Sequence, residues 1–143
     1  MWLHMLSKEI LSSILNSIRT IRRLTVGSLE NNITFQQFLI LKLTFEGMGQ
    51  TQMSQNLQVS MAAISKMVDI LVKRGFLIRE PAVDRRCLTL KLSPEGLRIK
   101  KVVTGQVEKI LDKKIKNLTK EEQNDLIKGL DVLNKLMGFV NEK

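Results

Sequence analysis

The sequence predicts a mainly α-helical chain carrying one small two-stranded hairpin. Three observations predict it. Apolar residues recur at helical spacing over most of the 143 residues. Helix-start signals recur as well, at Thr34 with Gln37, at Ser60, and at Thr119 with Glu122. Only one run alternates strictly, with Leu88, Leu90 and Leu92 on one side and Thr89 and Lys91 on the other.

Residues 5–26 carry Leu6, Ile10, Ile14, Ile18 and Ile21 along one stripe, widened by Leu11 and Leu15. Arg19, Arg22 and Arg23 lie near the C-terminal end of this helix, where cations complement the dipole, and Gly27 closes it. Thr34 and Gln37 form a capping box for a buried helix over Phe35–Phe45, ended by Gly47. Gln50 to Leu57 is a two-turn helix with Met53 and Leu57 four apart. Ser60 caps a stronger helix to Arg74, stopped by Gly75. Phe76–Glu80 and Cys87–Leu92 read as the strand pair. Ser93 and Pro94 open a long helix to about residue 117. The last helix starts at Thr119 and Glu122, with Leu126, Leu130, Leu133, Met137 and Val140 at heptad-like steps.

Length fits a single domain over 1–143, with a core at 34–93 between helices at 1–33 and 94–143. The apolar fraction of 43% is ordinary for a globular chain. The flanking helices bring more apolar surface than the core can cover, which favours a homodimer. A net charge of +9 points to an acidic partner, nucleic acid ahead of an anionic membrane. The excess is spread, +2 over 1–33, +4 over 34–93 and +3 over 94–143. One cysteine excludes an internal disulfide and fits a reducing cytoplasm. Lys8 and Glu9 break the N-terminal apolar residues, against a signal peptide, and the longest uncharged stretch, 47–65, is too polar for a membrane span.

Two helices joined by a tight turn, Gln50–Leu57 and the one capped by Ser60, have the dimensions of a helix-turn-helix. On the second, Ile64, Met67, Val68 and Leu71 point inward, leaving Ala62, Ser65, Lys66, Asp69 and Lys73 outside. Its first turn, with Ser60, Met61, Ala62 and Ser65, suits a DNA major groove. Small residues allow close approach, hydroxyls bond base edges or phosphates, and Met or Ala can meet a thymine methyl. Any helical protein also has a polar face, so this signal gains weight only from its neighbour. The strand pair follows directly as a wing, whose tip, Asp84-Arg85-Arg86, can offer an arginine to the narrow minor groove.

The stretch NLQVSMAAISKMVDILVKRGFLIREPAVDRRCLTLKLSPEG, residues 56–96, resembles the core of MarR-type winged helix-turn-helix regulators. By helix order the resemblance extends over essentially the whole chain. It implies a winged core flanked by dimerisation helices, with recognition helices in successive major grooves of a near-palindromic operator. By position, Ser60, Met61, Ala62, Ser65 and Lys66 would form the major-groove and phosphate set. Gln50 and Thr51 would bond phosphates from the supporting helix, and Arg85 would enter the minor groove. Asp84 and Arg86 would hold the wing loop, and Asp69 would bond a wing arginine in a structural role. The resemblance also implies a small-molecule effector in a crevice between dimer helices and winged core. With no tyrosine, one tryptophan and one histidine, the chain names no polar set for it. One departure is Gln58, where the turn often carries glycine; it requires a non-glycine residue in a strained conformation.

Other chemistry finds no footing. His4 has no partner at metal-ligand spacing, no Ser/His/Asp set can be assembled, and the seven methionines suit packing, so neither cofactor nor enzyme activity is expected. Cys87 stands in no visible thiolate-stabilising context and reads as a small strand residue. The expectation is a cytoplasmic DNA-binding regulator, most simply a repressor. Its rivals are a winged-helix protein-docking module and a constitutive DNA binder with no ligand switch.

Overall fold

The structure, a computed structural model, describes residues 1–27, 33–81 and 88–138. Along them run α1 (Trp2–Gly27), α2 (Phe35–Phe45), α3 (Gln50–Leu57), α4 (Met61–Lys73), β1 (Leu77–Pro81), β2 (Leu88–Leu92), α5 (Pro94–Ile115) and α6 (Lys120–Leu136). The chain divides into two compact units, Met1–Val107 and Glu108–Lys143.

In the first unit the core is drawn from α2, α3, α4, β1 and the start of α5. Ile40, Leu41, Met53, Ile64, Val68, Leu71, Leu77, Ile99 and Val103 are fully buried. Burying each such side chain is worth about 1.5–3 kcal/mol, and this shared burial holds short elements that would not stand alone. The dependence is sharpest for α3, an eight-residue helix of polar composition whose only buried residue is Met53.

Local chemistry sets the boundaries. The Thr34 hydroxyl accepts from the Gln37 amide at 3.2 Å, and the Gln37 side chain accepts from the Thr34 amide at 3.1 Å. α4 starts on Ser60, whose hydroxyl accepts from the Ala63 amide at 3.1 Å. Its end is a paired-bond cap: Gly75, at φ +77°, donates to Val72, and Phe76 donates to Leu71 at 2.9 Å. Phe76 is thereby used in closing the helix, so β1 begins at Leu77, one residue later than the apolar run suggested. α1 is longer than its stripe predicts, because the Met1 carbonyl already accepts from the Met5 amide.

β1 and β2 pair antiparallel, Leu77 opposite Leu92 and Arg79 opposite Leu90. Leu90 and Leu92 pack on the core, while Thr89 and Lys91 face outward. The base of this hairpin is clamped to α5. The Ser93 amide donates to the Phe76 carbonyl at 3.0 Å. The Ser93 hydroxyl donates to the Gly75 carbonyl and accepts from the Gly96 amide. Gly96 sits so close that a β-carbon there would lie 2.0 Å from the Phe76 oxygen. α1 half-buries Ile10, Ile14 and Leu24, and leaves Leu6, Leu11, Leu15, Ile18 and Ile21 exposed.

In the second unit Thr119 and Glu122 close a reciprocal capping box at the start of α6. The Gln123 side chain donates to the Ile115 and Leu118 carbonyls, satisfying groups freed where α5 ends. No residue of α6 is buried. Leu126, Leu130 and Met137 of the heptad-like set are exposed, Leu133 is half-buried, and Val140 lies outside the described residues. Among the described residues, no helix is long and apolar enough to cross a membrane.

Candidate nucleic-acid interface

α3 and α4 are joined by Gln58 and Val59, with Ser60 already acting as the cap of α4. Gln58 takes φ 51° and ψ 45°, the left-handed conformation, so the strained non-glycine turn residue is real. Ser54 compensates by pinning the turn. Its hydroxyl donates to the Val59 carbonyl at 2.6 Å, and its own carbonyl accepts from the amides of Gln58 and Val59. Nothing in the residue pattern singled Ser54 out beforehand, because the bond depends on the turn's shape.

On α4, Ile64, Val68 and Leu71 are fully buried. At 100° per residue, Met61, Ala62, Ser65, Lys66, Asp69 and Lys73 fall within an arc of roughly 140° on the other side. Met61 is 47% exposed, Ala62 and Lys66 are exposed, and Ser65 is half-buried. The Ser60 hydroxyl is engaged in capping but keeps its own proton for a further acceptor. Gln50, half-buried, and Thr51, exposed, open α3. The helix-turn-helix thus gathers Gln50, Thr51, Ser60, Met61, Ala62, Ser65 and Lys66 on two adjoining helices. Asp84, Arg85 and Arg86 lie outside the described residues.

Asp69 accepts a charge-assisted bond from the Arg79 guanidinium on β1. Arg79 is 29% exposed and Asp69 51%, so water screens the pair and it contributes within about 1 kcal/mol to stability. Its geometric effect is larger, because it ties the strand leading into the wing to the outer face of α4. The residue pattern alone does not mark Arg79. The available signal was an acid on the outer face of one element and a cation ten residues on. A second tie lies one turn along, where Arg74 donates to Gln37 of α2 at 3.3 Å and stacks 4.9 Å from the Phe76 ring.

Behind the turn is a cavity of about 270 Å³, lined by Ile18 and Arg22 of α1, Phe35, Gln36 and Leu39 of α2, Leu57 and Val59 beside the turn, and Met67 of α4. Its walls are apolar apart from one guanidinium and one amide. It touches both α1 and the helix-turn-helix, so anything seated there contacts both. Among the described residues no group of three His, Cys, Asp or Glu side chains could hold a metal ion.

The model of the MarR family matches residues 33–88, the segment from the start of α2 into the hairpin. No curated protein matches the chain. Among solved structures, wild-type MarR from E. coli in its apo form is 26% identical, with 86% of this chain and 96% of that one covered and a TM-score of 0.71. FabT from Streptococcus pneumoniae in complex with DNA is 21% identical, covering 94% and 97%, with a TM-score of 0.76. A Staphylococcus aureus MarR in complex with salicylate and kanamycin is 22% identical, covering 94% of each chain, with a TM-score of 0.77. The match falls on the very segment that builds the turn, the outward face of α4 and the hairpin, and the fold agrees beyond it. Residues 33–88 thus match the MarR family model, and the fold is the winged helix-turn-helix fold of these solved structures.

Proposed function

We propose that the chain is a sequence-specific double-stranded DNA-binding regulator that represses transcription from a near-palindromic operator. The observation that carries this reading is the outward face of α4. Its first two turns present small, hydroxyl-bearing and methyl-bearing groups with Lys66, directly beside a hairpin whose sequence ends in Asp84-Arg85-Arg86. Ser60, Met61, Ala62, Ser65 and Lys66 read or approach the major groove. Gln50 and Thr51 bond phosphates, Arg85 enters the minor groove, and Asp84 and Arg86 shape the loop. Asp69, through Arg79, holds the strand behind it.

The working unit is a cytoplasmic homodimer in which residues 34–93 bind DNA and the helices at 1–33 and 94–143 associate. Supporting this, α1 and α6 each leave a row of large apolar side chains in solvent, which monomers rarely do. Each protomer offers one recognition helix, and the dimer sets their separation near one DNA turn, about 34 Å. A small molecule in the cavity beside Arg22 releases the operator by favouring a different placement of α4, provided it binds the two states unequally. A solved neighbour of the same fold, in complex with salicylate and kanamycin, supports a small-molecule switch.

A random-duplex selection with the full chain tests the reading. A two-part motif with half-sites about one turn apart is expected. Retention of random duplexes with no enrichment, or no binding even at low salt, would refute it in favour of a protein-docking role.

A further inference from the structure

The uncharged surface of the helix-turn-helix says which base pairs it reads. Each kind of base pair is recognised in the major groove by a different chemistry: guanine by the two-pronged donors of arginine, cytosine by a carboxylate, thymine by contact with its 5-methyl group. Residues 47–65 contain no charged side chain, so Lys66 is the only cation on the first two turns of α4. The only carboxylate on the outer face of α4 is Asp69, already engaged by Arg79. Ser60 spends a lone pair on the Ala63 amide. Beside the serine hydroxyls, which bond any base, the first turn offers apolar groups: the side chain of Met61, nearly half exposed, and the methyl of Ala62. An exposed methionine at a recognition-helix start gains nothing from water but can bury itself on a thymine methyl.

We infer that the base pairs beneath the first turn of α4 are A·T pairs, recognised through thymine methyl groups by Met61 and Ala62. This deepens the DNA-binding reading above and rests on it. Lys66 is the one cation on the first two turns of α4 that can bond guanine, so each half-site has an A·T core flanked by any G·C pair that Lys66 reads.

The test uses the full chain and the best duplex from the random selection. Each thymine of the half-site is replaced in turn by deoxyuridine, which keeps the pairing and removes only the methyl. For wild type, one or two positions should each lose about 4-fold in affinity, what a buried methyl is worth. In Met61→Ala, with unchanged far-UV circular dichroism, one of those positions should become indifferent to the swap. A half-site of mostly G·C pairs, or affinity unchanged at every deoxyuridine, overturns the inference while leaving DNA binding intact. Failure to enrich any motif removes the DNA-binding reading and this one together.

Discussion

Gly96→Ala perturbs the clamp between the hairpin and α5 with a single methyl group. That β-carbon would stand 2.0 Å from the Phe76 carbonyl oxygen and 2.9 Å from its carbon. A close carbon–oxygen contact is about 3.3 Å, so α5 and the chain at Phe76 must separate by about 1.3 Å. No side chain can rotate out of the way, because the obstacle is backbone. Separation also breaks the 3.0 Å bond from the Ser93 amide to the Phe76 oxygen. Overpacking of this kind costs about 3 kcal/mol at the upper end of its range, and the lost hydrogen bond about 1 kcal/mol. Alanine's better helix propensity returns about 1 kcal/mol, leaving a net loss of about 3 kcal/mol. For a chain of this size the melting temperature should fall by about 10 °C. Thermal unfolding followed by circular dichroism measures it, with Gly105→Ala in the same helix as the control. A methyl at Gly105 meets nothing within 4 Å and should stabilise by up to about 1 kcal/mol. If Gly96→Ala melts at or above wild type, α5 does not approach the hairpin base as described.

Four further predictions follow from other parts of the molecule. Gln58→Gly should stabilise by about 0.5–1 kcal/mol in urea unfolding, since relief of a left-handed side chain outweighs the added freedom of the unfolded chain; a lower midpoint would contradict the strained turn. Arg85→Ala should weaken operator binding in a duplex titration while sedimentation reports the same dimer, and unchanged affinity removes Arg85 from the interface. A double-mutant cycle of Asp69→Asn with Arg79→Gln should give a stability coupling within about 1 kcal/mol but reduce DNA affinity, because the pair aims the wing; coupling without any binding change would make it purely structural. With Lys66, Lys73 and Arg85 as the neutralising cations of each protomer, log affinity should fall with log salt at a slope of roughly −5, and a slope near −9 would mean that major cationic contacts lie elsewhere.

Helix starts were legible because their chemistry is local. Thr34 with Gln37, Ser60, and Thr119 with Glu122 each bond an amide three residues away, and each opens a helix where the pattern placed it. The inward face of α4 was legible for the same reason, since period alone separates Ile64, Val68 and Leu71 from Lys66 and Asp69. The start of β1 was misjudged by one residue, because Phe76 looks like a strand residue until its amide is seen bonding Leu71. The wing tip is a different case: Asp84-Arg85-Arg86 is visible only as sequence, and its roles stand as proposals.

By itself, the sequence determined the order of elements, the helix-turn-helix spacing and the uncharged character of residues 47–65, all consequences of propensity and short-range bonding. The tertiary structure alone decided what meets across distance. It brought Arg79 to Asp69, set Gly96 against the Phe76 carbonyl, and opened the cavity between Arg22 and Met67. No local rule specifies such contacts. Each joins groups on different elements and exists only after the core around Met53, Val68 and Leu77 has packed.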